Sequence, residues 1–76
     1  MKKIDERIMN YRRCCGKYFV REQGFVEFEL GYFHQWGVDS EELDVGALNY
    51  TIGVVELPSG KVVTVMPENI KFIDIE

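Results

Sequence analysis

The sequence predicts a mainly β fold, a small barrel of short antiparallel strands, and its last third carries most of that expectation. Residues 51–57 and 61–66 are rich in β-branched side chains, and Pro58-Ser59-Gly60 between them is a short-range hairpin signal. Pro67-Glu68-Asn69 then reads as one proline-marked turn, and residues 70–75 as a closing strand. Length is the third observation: 76 residues predict a single domain, 1–76, near the lower size at which a core holds without staples. A chain that commits its apolar residues to so small a core has few left to wall a catalytic cleft, so no enzyme is expected.

At the start of the chain, Ile4, Ile8 and Tyr11 fall at i, i+4 and i+7. Asp5 and Glu6 stand in the first turn, Arg12 and Arg13 in the last. That spacing and charge order predict a short N-terminal α-helix over residues 1–14, stopped by Gly16 after Cys14-Cys15. Such a helix is too short to stand alone and would dock its apolar stripe on an end of the barrel or on a partner. The adjacent cysteines could bridge only through a strained ring, so free thiols are expected. Together with the lack of an apolar run behind Lys2 and Lys3, they predict a cytoplasmic protein, and no stretch has the length of a membrane span. Two neighbouring cysteines and the lone His34 are too few for a zinc site; no metal and no cofactor are expected.

Residues 17–30 alternate as two strands broken at Gln23-Gly24. In the second, Val26, Phe28 and Leu30 share one face while Glu27 and Glu29 share the solvated one. Residues 31–49, GYFHQWGVDSEELDVGALN, are read as a long aromatic and acidic loop. They place Tyr32, Phe33, His34 and Trp36 in five positions, then Asp39, Glu41, Glu42 and Asp44 within six. A loop of that length in so small a domain tends to be functional. The expected interaction surface is therefore Tyr32, Phe33, Trp36 and Tyr50 for apolar contact, with Asp39, Glu41, Glu42 and Asp44 setting partner choice. The competing reading is that Phe33 and Trp36 cap one end of the barrel while the acids stay wet. His34 has no nucleophile or carboxylate at a telling spacing and reads as a packing or hydrogen-bonding residue; no catalytic residue is assigned.

Charge is unevenly spread. Residues 1–21 hold seven Lys/Arg against two Asp/Glu, whereas only Lys61 and Lys71 face eleven acids in the rest. Either the two ends of the domain attract each other, or the basic start touches nucleic acid that the barrel repels.

The run VVTVMPENIKFID is similar to the way SH3-like barrels finish, with Pro67, Asn69 and Ile70 at the proline, the polar turn residue and the next buried position. The resemblance covers roughly residues 17–75 and implies an SH3-like barrel. Trp36 precedes the acidic stretch and Ile70 stands where peptide-binding members carry a tyrosine, so it does not extend to binding of proline-rich peptides. GYFHQWG with NYTIGVVEL, GKVVTV and PENIKF also resembles short accessory proteins of bacteriophages and prophages of Gram-positive bacteria. That likeness implies a protein acting in a bacterial host, where it would block a host enzyme or defence factor.

The leading expectation is a non-enzymatic protein-interaction module that binds or inhibits a host protein through a basic patch on that protein. The alternative is a small β-barrel binding single-stranded nucleic acid through its basic N-terminal segment, with stacking from the aromatic residues. A third class, thiol chemistry or small-ligand binding by Cys14 or Cys15 with His34, rests on Arg12, Arg13 and Lys17 lowering a thiol pKa. The N-terminal helix and the open strand edges also invite a homodimer.

Overall fold

The computed structural model describes residues 11–74, and within them the protein is mainly β. Five strands form one antiparallel sheet: β1 (Arg12–Val20), β2 (Gly24–Leu43), β3 (Gly46–Glu56), β4 (Val62–Val65) and β5 (Ile70–Phe72). The order across the sheet is β4-β3-β2-β1-β5, and no ladder joins β4 to β5, so the sheet is not closed.

The C-terminal third follows its sequence signals. Leu57 N–H donates to the Lys61 carbonyl and Gly60 N–H to the Leu57 carbonyl, both at 2.8 Å, closing the β3–β4 turn. Pro67–Asn69 is a 3-10 turn in which proline takes a first-turn position that needs no N–H donor. Asn69 N–H donates to the Met66 carbonyl at 2.8 Å, and the chain then enters β5, which pairs with β1 through Cys14↔Phe72 and Gly16↔Ile70.

Two expectations are corrected. Residues 12–14, assigned to an N-terminal helix, are strand, and Cys14, Cys15 and Gly16 lie inside β1 rather than at a helix stop. β1 is the strand that both β2 and β5 need as a neighbour, and two ladders outweigh a helical spacing of three apolar residues. Residues 1–10, the bulk of that expected helix, lie outside the described residues. The expected loop 31–49 is also strand: β2 runs unbroken to Leu43, turns at Asp44-Val45 and returns as β3. Both turn residues have negative φ, and Gly46 at φ 134° takes the conformation that other residues avoid.

β2 spans 20 residues because two irregularities bend it. Against β1, Glu29 and Leu30 lie opposite the single Cys15; against β3, His34 is the extra residue between Phe33↔Val55 and Gln35↔Val54. Each bulge resets the alternation of faces and turns the strand, so Val26, Phe28, Gly31 and Phe33 all face inward. The core is small: Cys14, Val55, Val63 and Val65 are buried, with Tyr18, Phe28, Phe33, Leu57, Ile70 and Phe72 packed around them. β1 crosses so close to the 3-10 turn that a Cβ on Gly16 would collide with the Asn69 carbonyl oxygen. The molecule is elongated, 52 × 24 × 23 Å, and residues 38–49 form a two-stranded arm exposed at every position. No helix among the described residues is long and apolar enough to cross a membrane.

Candidate functional site

The arm gives the molecule two distinct faces, because opposed residues in an antiparallel pair share a side and successive residues alternate. On one face lie the pairs Trp36↔Gly53, Val38↔Thr51, Ser40↔Asn49 and Glu42↔Ala47; on the other lie Gly37↔Ile52, Asp39↔Tyr50, Glu41↔Leu48 and Leu43↔Gly46. Asp44 stands at the tip beside Val45, which is 95% exposed.

The eight residues singled out in the sequence are therefore divided. Trp36 and Glu42 share the first face, whereas Asp39, Glu41 and Tyr50 share the second, and Asp44 is at the tip. Phe33 is half-buried against the core, and Tyr32, opposite Arg13 and Glu56, points the other way along the strand. The four acids expected on one loop rim are thus divided, with Glu42 on the first face, Asp39 and Glu41 on the second and Asp44 at the tip.

Trp36 is the anchor of its face. It is 48% exposed, yet its ring is held edge-on by Phe33 at 4.8 Å and by Phe72 at 6.5 Å between centroids. Gly53 lies beneath: a Cβ there would stand 2.5 Å from Ile70 Cδ1 and 3.0 Å from Phe33 Cε1, so the missing side chain lets the rings settle on the strand. Phe72 is covered in turn by the Arg12 guanidinium, 3.7 Å above its centroid. Arg12 Nε donates to Asp74 Oδ2 at 3.0 Å and its Nη2 to Oδ1 at 3.3 Å, which ties the basic start of the described chain to its acidic end. That hydrogen bond is the main reason the Asp74 carboxyl is held below its ordinary range.

On the opposite face, burial comes first and the negative charges of Asp39 and Glu41 second in pushing the Tyr50 phenol above its ordinary value. Ile52 is buried beside it, and the surface runs on into a groove between β1 and β4. His34, at the bulge, stacks on Tyr11 at 4.0 Å and places Nε2 2.9 Å from Glu56 Oε1, a hydrogen bond that becomes an ion pair when the ring is protonated. The imidazole is thus used to seat Tyr11 and has no thiol partner. Cys14 points into the core with its thiol pushed up to about 11, first by burial, while Cys15 is only partly buried. Among the described residues no three His, Cys, Asp or Glu side chains converge as metal ligands.

Sequence reasoning missed Val38, Leu43, Val45 and Leu48, the apolar half of the arm, and the exposed ring pair Phe19 and Phe25. The arm residues left a signal: Val38, Ser40 and Glu42 alternate with Asp39, Glu41 and Leu43, and Asp44-Val45-Gly46 is a turn signal. The chain matches no protein-family model, no curated protein and no solved structure.

Proposed function

We propose that this protein is a non-enzymatic protein-interaction module whose contact surface is the Trp36 face and tip of the β2–β3 arm. The observation that carries this reading is an indole half-exposed yet fixed by two aromatic rings, at the base of a projecting ribbon. A rigid aromatic that loses little entropy on docking is the kind of residue that dominates binding energy. Val38 and Val45 extend the apolar contact outward, and Gly53, Thr51 and Ala47 opposite keep the face flat enough for a partner to approach.

Glu42 on the face and Asp44 at the tip favour a partner with a basic patch, steering its approach more than they add to final affinity. A host protein in a bacterial cell, bound or inhibited in the cytoplasm, is the partner class this reading takes. The strand order β4-β3-β2-β1-β5 and the 3-10 turn before β5 support placing the fold with the SH3-like barrels, open between its edge strands. Binding of single-stranded nucleic acid by the basic start of the chain is the weaker reading, because Arg12 is already engaged by Asp74 and Phe72.

The test is capture of partners by the immobilised protein from nuclease-treated bacterial lysate at low and moderate salt. One dominant protein is expected, held less well by Glu42→Lys with Asp44→Lys and at higher salt. Retention that charge reversal leaves unchanged would remove the electrostatic part of the proposal.

A further inference from the structure

The second face of the arm continues into a groove of about 220 Å³ between β1 and β4, lined by Lys17, Phe19, Phe25, Tyr50, Ile52 and Met66. Phe19 and Phe25 pack edge to face at 5.5 Å and remain 62% and 55% exposed. Lys17 Nζ lies 4.9 Å from the Phe25 centroid, and Arg21 and Lys61 line the adjoining hollow, Lys61 being 5.6 Å from the Tyr18 centroid. The groove is thus mostly apolar with Lys17 as its one cation, and the adjoining hollow adds Arg21 and Lys61. Its one acid, Asp39, belongs to the arm, and Glu22 and Glu27 lie outside the lining.

The arm has the opposite character. Its groove-side face carries Asp39 and Glu41 among Leu43, Leu48 and Tyr50, with Leu43 and Leu48 about half exposed. A two-stranded ribbon without a third strand or a core is marginal in water, so this arm is a segment in want of a surface. Apolar groups meet apolar groups and carboxylates meet ammonium and guanidinium groups when the arm of one molecule lies over the groove of another.

We propose that the occupant of this groove is the arm of a second copy of the same chain, in a two-fold dimer. Arm and groove lie on one continuous surface with Asp39 and Tyr50 at their junction, so a two-fold axis near that junction satisfies both contacts at once. Reciprocity of this kind closes the assembly at two copies. Arm along arm is disfavoured by charge, since it would gather both copies of Asp39 and Glu41 with no cation among them, whereas at the groove Asp39 shares a lining with Lys17. The Trp36 face stays free on both molecules, which separates this contact from the one used for a partner protein.

Sedimentation velocity across a concentration series tests the proposal, with three charge variants. The wild type is expected to dimerise, and reversal of the arm (Asp39→Lys with Glu41→Lys) or of the groove (Lys17→Glu with Lys61→Glu) is expected to weaken the dimer at least about tenfold, as like charges meet across the contact. An equal mixture of the two variants is expected to recover a heterodimer, because each then offers the charge the other lacks. Glu42→Lys, on the far face, is expected to leave the dimer intact. A wild type that stays monomeric throughout overturns the proposal. So does a dimer that both reversals leave unchanged, or a pair of reversals whose mixture fails to associate.

Discussion

Trp36 stands edge-on against Phe33, with ring centroids 4.8 Å apart and planes at 61°, and the two rings have different work. Phe33 packs into the core, whereas Trp36 uses Phe33 as a backing and turns its other side to solvent. Trp36→Ala is accordingly expected to cost clearly less than Phe33→Ala, which should cost about 3 kcal/mol or more. Urea unfolding of both variants checks this, and Trp36→Ala alone should stay folded and lose partner capture.

Gly16 is fixed by the approach of the Asn69 carbonyl. Since backbone meets backbone there, no side chain can yield, and Gly16→Ala must push β1 away from the 3-10 turn or break the β1–β5 ladder. A loss of about 2 kcal/mol or more is expected, as for other overpacked sites. Its signature in hydrogen exchange should be early opening of Ile70–Phe72, with β3 and β4 less affected.

The Arg12–Asp74 pair sets a direction for the response to acid. Asp74 has a folded pKa below its ordinary value, chiefly through its hydrogen bond to Arg12, so its contribution is present above the unfolded carboxylate pKa of roughly 3.9. It is lost as pH falls through the lower folded value. The pair is exposed and its effect small; what is expected is that urea midpoints of the wild type and Asp74→Asn differ near neutrality and converge in strong acid.

Cys14 and Cys15, adjacent on one strand, point to opposite sides and should separate cleanly by reactivity. A thiol reagent is expected to label Cys15 quickly and Cys14 only on unfolding, because Cys14 is fully buried with its thiol pushed up to about 11. A thiol raised this way contributes stability below its ordinary range and loses it as pH rises toward 11. Alkaline unfolding should therefore be milder in Cys14→Ala, once the loss of packing is subtracted by comparison at neutral pH.

Much of the sheet was legible because its signals are local. β-branched runs flank Pro58-Ser59-Gly60, Pro67 opens the 3-10 turn, and Val26, Phe28 and Leu30 alternate with glutamates. The arm was hidden by its composition, since acids at four of the seven positions from Asp39 to Val45 do not read as strand interior; with no core on either side, only the pairing register holds them. Residues 12–14 were misread for the converse reason: Tyr11, Arg12 and Arg13 complete a helical pattern locally, and only the ladders to Phe72 and Gly31, far away in sequence, make the segment extended. The site suffered from the same gap. Composition identified Trp36 and the acids, but which of them share a face depends on the bulge at His34 and the turn at Asp44-Val45, neither of which composition reports.

The central claim is that the arm is a binding device rather than part of the stable core, and trimming it is the most direct test. Replacing residues 40–49 by Asn-Gly keeps Asp39↔Tyr50 as the closing pair, two steps along the ladder from Glu41↔Leu48 and four from the native closing pair Leu43↔Gly46, so the hairpin parity is preserved. Thermal unfolding and partner capture would be measured on the trimmed and full chains together. A trimmed protein that unfolds like the wild type and no longer captures the partner is the expected result; one that captures it equally well would contradict the account.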